Sequence, residues 1–280
     1  MTTAVSAVDE SLVGSPYDLR EAKGPPVAET DLRSAVETGD RGYVHSFTTG
    51  STVDGPGVRV VAWLTGCQFR CLYCHNPDTW KMPNGTPVGV SQAVATVQKY
   101  RHGLKTMGGG LTISGGEPLM QHRFVLNVFK AVKQMGVHTA LDSNGALGDR
   151  LADDDLNSID LVLLDLKAFT PDRHRGLTGM DNQPVLEFAR RLAERRRPVW
   201  IRFVLVPGWT DDMAEVESLT DFVAALGNVE RVDVLPFHQM GRFKWDKLGV
   251  DYQLRTTEPP PREVVGQVIS RFRAKGLNAV

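Results

Sequence analysis

All three cysteines of this 280-residue chain fall in the run Cys67-Gln-Phe-Arg-Cys71-Leu-Tyr-Cys74, a C-x3-C-x2-C spacing with an aromatic residue before the last thiol. Three thiolates can hold three irons of a cubane [4Fe–4S] cluster and leave the fourth iron without a protein ligand. An electron-transfer cluster normally takes four cysteines. The incomplete set points to an open coordination position for a substrate or cofactor. A structural zinc site with His75 as fourth ligand is the competing reading. Zinc modules usually pair ligands from two separated knuckles, and this chain has no second knuckle. A disulfide framework fits worse, because an odd count leaves one thiol over.

Size and charge narrow the field. A chain of this length can bury one large core, and α/β barrels of this size often form a single domain. The formal net charge of -1 gives no electrostatic reason to expect nucleic acid or an anionic membrane as partner. The densest basic run, Arg195-Arg196-Arg197, ends a predicted helix and reads as a solvated terminus meeting the negative end of the helix dipole. No apolar run approaches the roughly 20 residues of a membrane span. Reduced thiols and the lack of a visible secretory segment lead us to expect a cytoplasmic protein.

Residues 1–40 lack sustained periodicity and carry turn formers at Gly14-Ser15-Pro16 and Gly24-Pro25-Pro26, so a flexible extension is expected there. A domain over residues 41–280 should follow, with ordered structure beginning near Tyr43 and a short segment leading to the turn Asp54-Gly55-Pro56-Gly57. Strands are predicted at Val58–Leu64, Leu111–Ser114, Val137–Asp142, Leu161–Asp165, Val199–Val206 and Arg231–Leu235. Helical i, i+3/i+4 stripes lie between and after them, as in Phe124, Val125, Val128, Ala131 and Val132. Strands alternating with helices imply an α/β chain built on a parallel sheet. Six units are too few for the closed eight-fold barrel. Periodicity does not separate a partial barrel from a doubly wound open sheet, but both place chemistry at the carboxyl ends of strands.

The polar motifs stand at such ends. Ser114-Gly115-Gly116-Glu117-Pro118 follows the second predicted strand, where paired glycines allow close backbone approach to a ligand, or simply make a strand-to-helix turn. Asp142 and Asp165 end the third and fourth. Each could be a turn cap; as a converging pair they would repel unless a cation or a lysine stood between them. Arg202, within the fifth strand, would be costly if buried without a partner. Lys167 and Arg202 are the candidate cations for a ligand carboxylate, with a salt bridge to a neighbouring acid as the alternative. His238 follows the last strand. Tyr73, inside the cysteine loop, could line a ligand or merely pack over a cluster.

The C-x3-C-x2-C run, continued as Cys74-His75-Asn76-Pro77-Asp78-Thr79-Trp80, resembles the radical S-adenosylmethionine (SAM) enzymes, and within them the family that activates pyruvate formate-lyase. The similarity extends over most of Tyr43 to Val280, including Asp54-Gly-Pro-Gly57, Tyr100-Arg-His102, Val206-Pro-Gly-Trp209 and Gly241-Arg-Phe-Lys-Trp245. It implies a partial (β/α)6 TIM-like barrel, open on one side, with one [4Fe–4S] cluster on Cys67, Cys71 and Cys74. Gly115, Gly116 and Glu117 would contact the amino group of SAM, Lys167 and Arg202 its carboxylate, and His238 and Tyr73 the adenine side. A monovalent cation would be held by Asp142 and Asp165, by Ser143 through its hydroxyl or carbonyl, and by the Leu163 carbonyl. Asp54 would meet the partner's glycine loop near the barrel mouth.

The implied reaction is reductive cleavage of SAM to methionine and a 5′-deoxyadenosyl radical, which takes hydrogen from a glycine Cα of pyruvate formate-lyase. Fe–S potentials extend down to about −700 mV, low enough for that cleavage. The resemblance further implies a flavodoxin- or ferredoxin-type electron donor, and we expect a monomer. Activases of several other glycyl radical enzymes carry a Cys-rich insert after the first motif, and residues 77–110 hold no cysteine. Ribonucleotide reductase activases are much shorter chains. Activation of a different glycyl radical enzyme and a non-catalytic metal-binding partner protein are the rival readings.

Overall fold

The computed structural model describes residues 29–280; the turn formers at residues 14–16 and 24–26 lie outside the described residues. Helix α1 (Glu29–Thr38) precedes strand β1 (Arg41–Ser51), which folds back onto β2 (Arg59–Leu64). There follow β3 (Thr86–Gly89), α2 (Val90–Gln98), α3 (Arg101–Thr106), β4 (Gly110–Gly115), α4 (His122–Gln134), β5 (His138–Ser143) and β6 (Leu161–Asp165). The chain closes with α5 (Pro171–Thr178), α6 (Gln183–Glu194), β7 (Val199–Leu205), α7 (Met213–Leu226), β8 (Val229–Pro236), α8 (Arg242–Leu248) and α9 (Arg262–Ala274).

The strands form one sheet in the order β3-β1-β2-β4-β5-β6-β7-β8. From β2 through β8 every neighbouring pair is parallel, so the six expected strands make the expected open, partial barrel. Two antiparallel strands widen it: β1 pairs with β2 and also with β3. Sequence reading placed only a short segment before Asp54. β1 escaped because its burial alternates irregularly, around a bulge and a run of Ser, Thr and Gly that dilutes the apolar pattern. Helix α1 also falls inside the segment expected to be a loose extension. It is tied to α4 where Arg123 Nη1 donates to the Glu37 carbonyl at 2.6 Å and Asn127 Nδ2 donates to the Gly39 carbonyl at 3.1 Å.

Because side chains alternate across a strand, the sheet has two faces with different tasks. Leu111 and Ile113, Leu141, Val162 and Leu164, and Ile201 and Phe203 point outward into the main core with the helices. Their neighbours point inward. At the barrel floor Ala140, Leu161, Leu163 and Trp200 form a small apolar plug. One step further along the same strands, the inward positions become Ser114, Asp142, Asp165 and Arg202. A barrel dry at its base and polar toward its carboxyl rim therefore follows from one alternating pattern. Among the described residues no helix is long and apolar enough to cross a membrane.

Candidate active site

The cysteine loop leaves β2 and is clamped from three directions. Gly66 N donates to Thr79 O at 2.7 Å and Cys67 N to Trp80 O at 3.1 Å, closing the loop on itself. Arg70 N and Leu72 N donate to the carbonyls of Thr178 and Leu177 at the end of α5. From the far end of the chain, Trp245 on α8 donates its indole N–H to the Cys74 carbonyl at 2.8 Å and packs edge-on against Trp80 at 5.0 Å. Lys244 Nζ reaches Asn76 Oδ1 at 2.8 Å. Neither the α5 nor the α8 clamp was foreseen as part of the site; the only signal was the resemblance at Gly241–Trp245.

This clamping fixes the loop so that its three cysteines line one cavity, with Cys71 buried and Cys67 and Cys74 part-buried. Burial pushes Cys67 and Cys71 up to about 12 and Cys74 up to about 11, and each thiol lies near enough to another to raise it further. As bare thiolates they would be expensive. Iron would supply the positive charge that reverses this penalty, so the chemistry of three thiols lining one cavity fits a cluster. His75 does not complete a zinc site. Its ring meets His238 edge-on at 5.2 Å across the cavity entrance.

A cavity of ≈ 610 Å³ adjoins the thiols, within the range of small-molecule sites. The three cysteines, Tyr73, Gly115, Gly116, Asp142, Asp165, Lys167 and Arg202 all line it. His238 lines it as well. Gly115 has φ +122°, and a Cβ there would sit 2.1 Å from the Leu64 carbonyl oxygen; at Gly116 it would sit 2.3 Å from that of Gly66. The paired glycines thus let the end of β4 press against the start of the cysteine loop. Lys167 Nζ lies 5.5 Å from the Tyr73 ring centroid, and the buried Tyr73 hydroxyl makes no regular hydrogen bond.

The two aspartates already have cationic neighbours. Arg202 Nη1 is 3.0 Å from Asp142 Oδ2, which also accepts the Ser114 hydroxyl at 2.6 Å. Lys167 Nζ is 3.0 Å from Asp165 Oδ2. Asp142 holds the Arg202 proton well above the usual guanidinium range despite burial. Burial works against the Lys167 ammonium, but Asp165, Tyr73 and Cys71 together outweigh it and raise its pKa.

One expectation needs correction, and the choices at Ser143 and Asp54 are narrowed. Glu117 does not line the cavity: it is fully buried and its carboxylate accepts from Leu119 N at 2.9 Å, the Ser143 hydroxyl at 2.8 Å and Asn144 N at 2.8 Å. It buttresses the ends of β4 and β5, and desolvation raises it to about 7. The Ser143 hydroxyl is consequently turned to Glu117 and away from the aspartates, which leaves only its carbonyl as a candidate ligand. The Leu163 side chain belongs to the barrel plug, opposite Asp142 in the β5–β6 register. Asp54, in the turn before β2, lines the cavity. Its carboxylate accepts the Ser51 hydroxyl at 2.5 Å and lies 3.8 Å from Arg202 Nη1.

Comparison with known proteins agrees with this geometry. The family model for the radical SAM superfamily matches residues 61–219. Over 229 residues the chain is 44% identical to the pyruvate formate-lyase 1-activating enzyme of Escherichia coli (strain K12), covering 81% of this chain and 93% of that protein. It is 45% identical over 232 residues to the pyruvate formate-lyase-activating enzyme of Staphylococcus epidermidis, covering 80% and 92%. Among solved structures, a domain of a pyruvate-formate lyase-activating enzyme from Bacteroides vulgatus superposes with TM-score 0.52 at 29% identity, over 62% of this chain and 98% of that one. A radical SAM methyltransferase from Sphaerobacter thermophilus, 17% identical with TM-score 0.58 over 93% and 82%, shares the fold alone. With a family model matching more than half its length and relatives above 40% identity over four-fifths of it, the chain belongs to the radical SAM superfamily, among the pyruvate formate-lyase-activating enzymes.

Proposed function

We propose that this chain installs the glycyl radical of pyruvate formate-lyase. The observation that carries the reading is that the three cysteines of the C-x3-C-x2-C loop line one cavity together with Gly115, Gly116, Lys167 and Arg202. Cys67, Cys71 and Cys74 would hold the cluster, which with one electron from a donor protein would supply the chemistry that splits SAM into methionine and a 5′-deoxyadenosyl radical able to take hydrogen from a glycine Cα. The chain's own residues bind, orient and shield. Lys167 and Arg202 attract the SAM carboxylate, the Gly115–Gly116 backbone lies against the ligand without side chains in the way, and Tyr73 and His238 flank the adenine.

A SAM carboxylate shared by Lys167 and Arg202 would draw positive charge away from Asp165 and Asp142. A monovalent cation between those two aspartates, with the carbonyls of Ser143 and Leu163, would offset the charge left behind. For the partner, Val53 beside Asp54 is 73% exposed, and Met240 and Phe243, following His238, are 65% and 61% exposed. Val53 lines the cavity itself, and exposed apolar side chains there and shortly after His238 suit a macromolecular substrate that inserts a loop. Asp54 would then meet that loop. The chain would work as a monomer in the cytoplasm, taking its electron from a flavodoxin- or ferredoxin-type protein.

The deciding experiment is anaerobic reconstitution with SAM, a strong reductant and pyruvate formate-lyase, followed by electron paramagnetic resonance (EPR). A glycyl radical on that partner is expected. A radical formed only on another glycyl radical enzyme would reassign the partner. Bound zinc without acid-labile sulfide would overturn the reading altogether.

A further inference from the structure

We infer that Asn144 is a positioning residue for the cluster's charge: its side-chain amide donates an N–H···S hydrogen bond to Cys67 and raises the potential at which the cluster accepts an electron. The inference rests on the cluster reading above and concerns a residue to which that reading gives no role. Asn144 Nδ2 lies 3.9 Å from Cys67 Sγ. The residue is only 4% exposed, so water does not compete for that donor.

The orientation of the amide is dictated by its other end. Asn144 Oδ1 accepts from Gln68 Nε2 at 3.1 Å and from Ala146 N at 3.1 Å. Turning the amide over would set its NH2 group against the Ala146 N–H, a backbone donor that cannot turn away. The main chain is pinned as well, because Asn144 N donates to Glu117 Oε2 at 2.8 Å. Gln68 is the residue after Cys67, so the lock spans from the ligating loop to the end of β5 and back.

Reduction adds negative charge to a cluster and its sulfurs. A fixed N–H dipole aimed at one of those sulfurs stabilises the reduced form more than the oxidised form, and hydrogen bonds to sulfur are an established lever on Fe–S potential. Backbone hydrogen bonds from Phe69 and Asn76 to Cys67 and Cys74 work in the same direction. Asn144 is distinct in arriving from a different strand, two residues beyond Asp142. The donor thus brings reduction within reach of a milder electron source than the bare thiolate set would demand.

The test is a potentiometric titration of the reconstituted holoenzyme read by EPR, comparing wild type with Asn144→Leu, which keeps the size and removes the donor. At the wild-type midpoint potential, the ratio of reduced to oxidised cluster is expected to fall roughly threefold to tenfold; tenfold corresponds to about 59 mV for a one-electron couple. An unchanged midpoint at full iron and sulfide content overturns the inference. Should Asn144→Leu fail to retain its cluster, Asn144→Ala decides: it removes the same donor without adding branched bulk beside Cys67, so the midpoint must fall in the same direction, and an unshifted value there overturns the inference equally. A wild-type chain that takes up no iron and sulfide would instead defeat the cluster reading itself.

Discussion

Arg202 on β7 reaches across β6 to Asp142 on β5, with Nη1 3.0 Å from Oδ2, so that two non-adjacent strands are joined by one ion pair over the barrel floor. Both side chains are largely buried, and removing one partner leaves a charge without compensation. Arg202→Ala is expected to cost about 3–5 kcal/mol of stability. The double variant Arg202→Ala/Asp142→Ala should cost less than the sum of the two single changes. Urea denaturation of the four proteins of the cycle measures this, and strict additivity would show that the pair does not act as a unit.

The cysteine ligands should be individually indispensable. Changing Cys67, Cys71 or Cys74 to Ala is expected to lower iron and sulfide content and abolish SAM cleavage. Full activity in Cys71→Ala would sink the cluster assignment. Trp245→Phe should be milder: it removes the donor to the Cys74 carbonyl at about 1 kcal/mol, and the expected readout is faster loss of iron to a chelator.

If Asp142 and Asp165 hold a monovalent cation once SAM engages Lys167 and Arg202, SAM affinity should depend on which cation is supplied. Asp142→Ala should weaken SAM binding while leaving iron content intact. Equilibrium binding measured across a series of alkali cations tests both points. Identical affinity in every salt, together with an unaltered Asp142→Ala protein, would leave that aspartate its ion pair with Arg202 and its hydrogen bond from Ser114.

Glu117 predicts a pH dependence of folding. Its carboxyl titrates near 4.5 when unfolded and at about 7 when folded, so the folded chain holds this proton more tightly. The resulting stabilisation is complete below pH 4.5 and is lost as pH rises through 7, a change of about 3 kcal/mol at 1.36 kcal/mol per pH unit. Glu117→Gln cannot titrate. The stability of wild type relative to this variant should therefore decline between pH 5 and pH 8 in denaturant titrations of the metal-free chain. A constant difference across that range would contradict the burial argument.

Asp54 separates partner recognition from cofactor binding. Asp54→Ala is expected to reduce radical formation on pyruvate formate-lyase by an order of magnitude or so, in keeping with lost orientation of the reacting atoms, while cleavage of SAM without the partner continues largely unaltered. Equal losses of both activities would tie Asp54 to Arg202 and the cofactor side, a result its 3.8 Å separation from that guanidinium makes informative.

Much of this protein is local in origin and was legible along the chain. The C-x3-C-x2-C spacing sets which thiols can share one cluster, because a short loop brings them together wherever it is placed. The six parallel strands show as compact apolar runs, because both of their faces are covered and the pattern does not depend on distant partners. The polar residues ending those runs were readable as one site for the same reason, since strand ends in a parallel sheet share a rim. What tertiary structure decided is which way each polar group turns. Glu117 and Gly116 are neighbours in sequence, yet the carboxylate is drawn inward by Leu119, Ser143 and Asn144 while the glycine lines the cavity. Asp54, Asn144 and Trp245 lie 13, 77 and 171 positions from the cysteines they approach or face across the site. Hydrogen bonds and ion pairs of that span form only after the sheet has curled, and sequence periodicity carries no record of a contact that closure of the barrel creates.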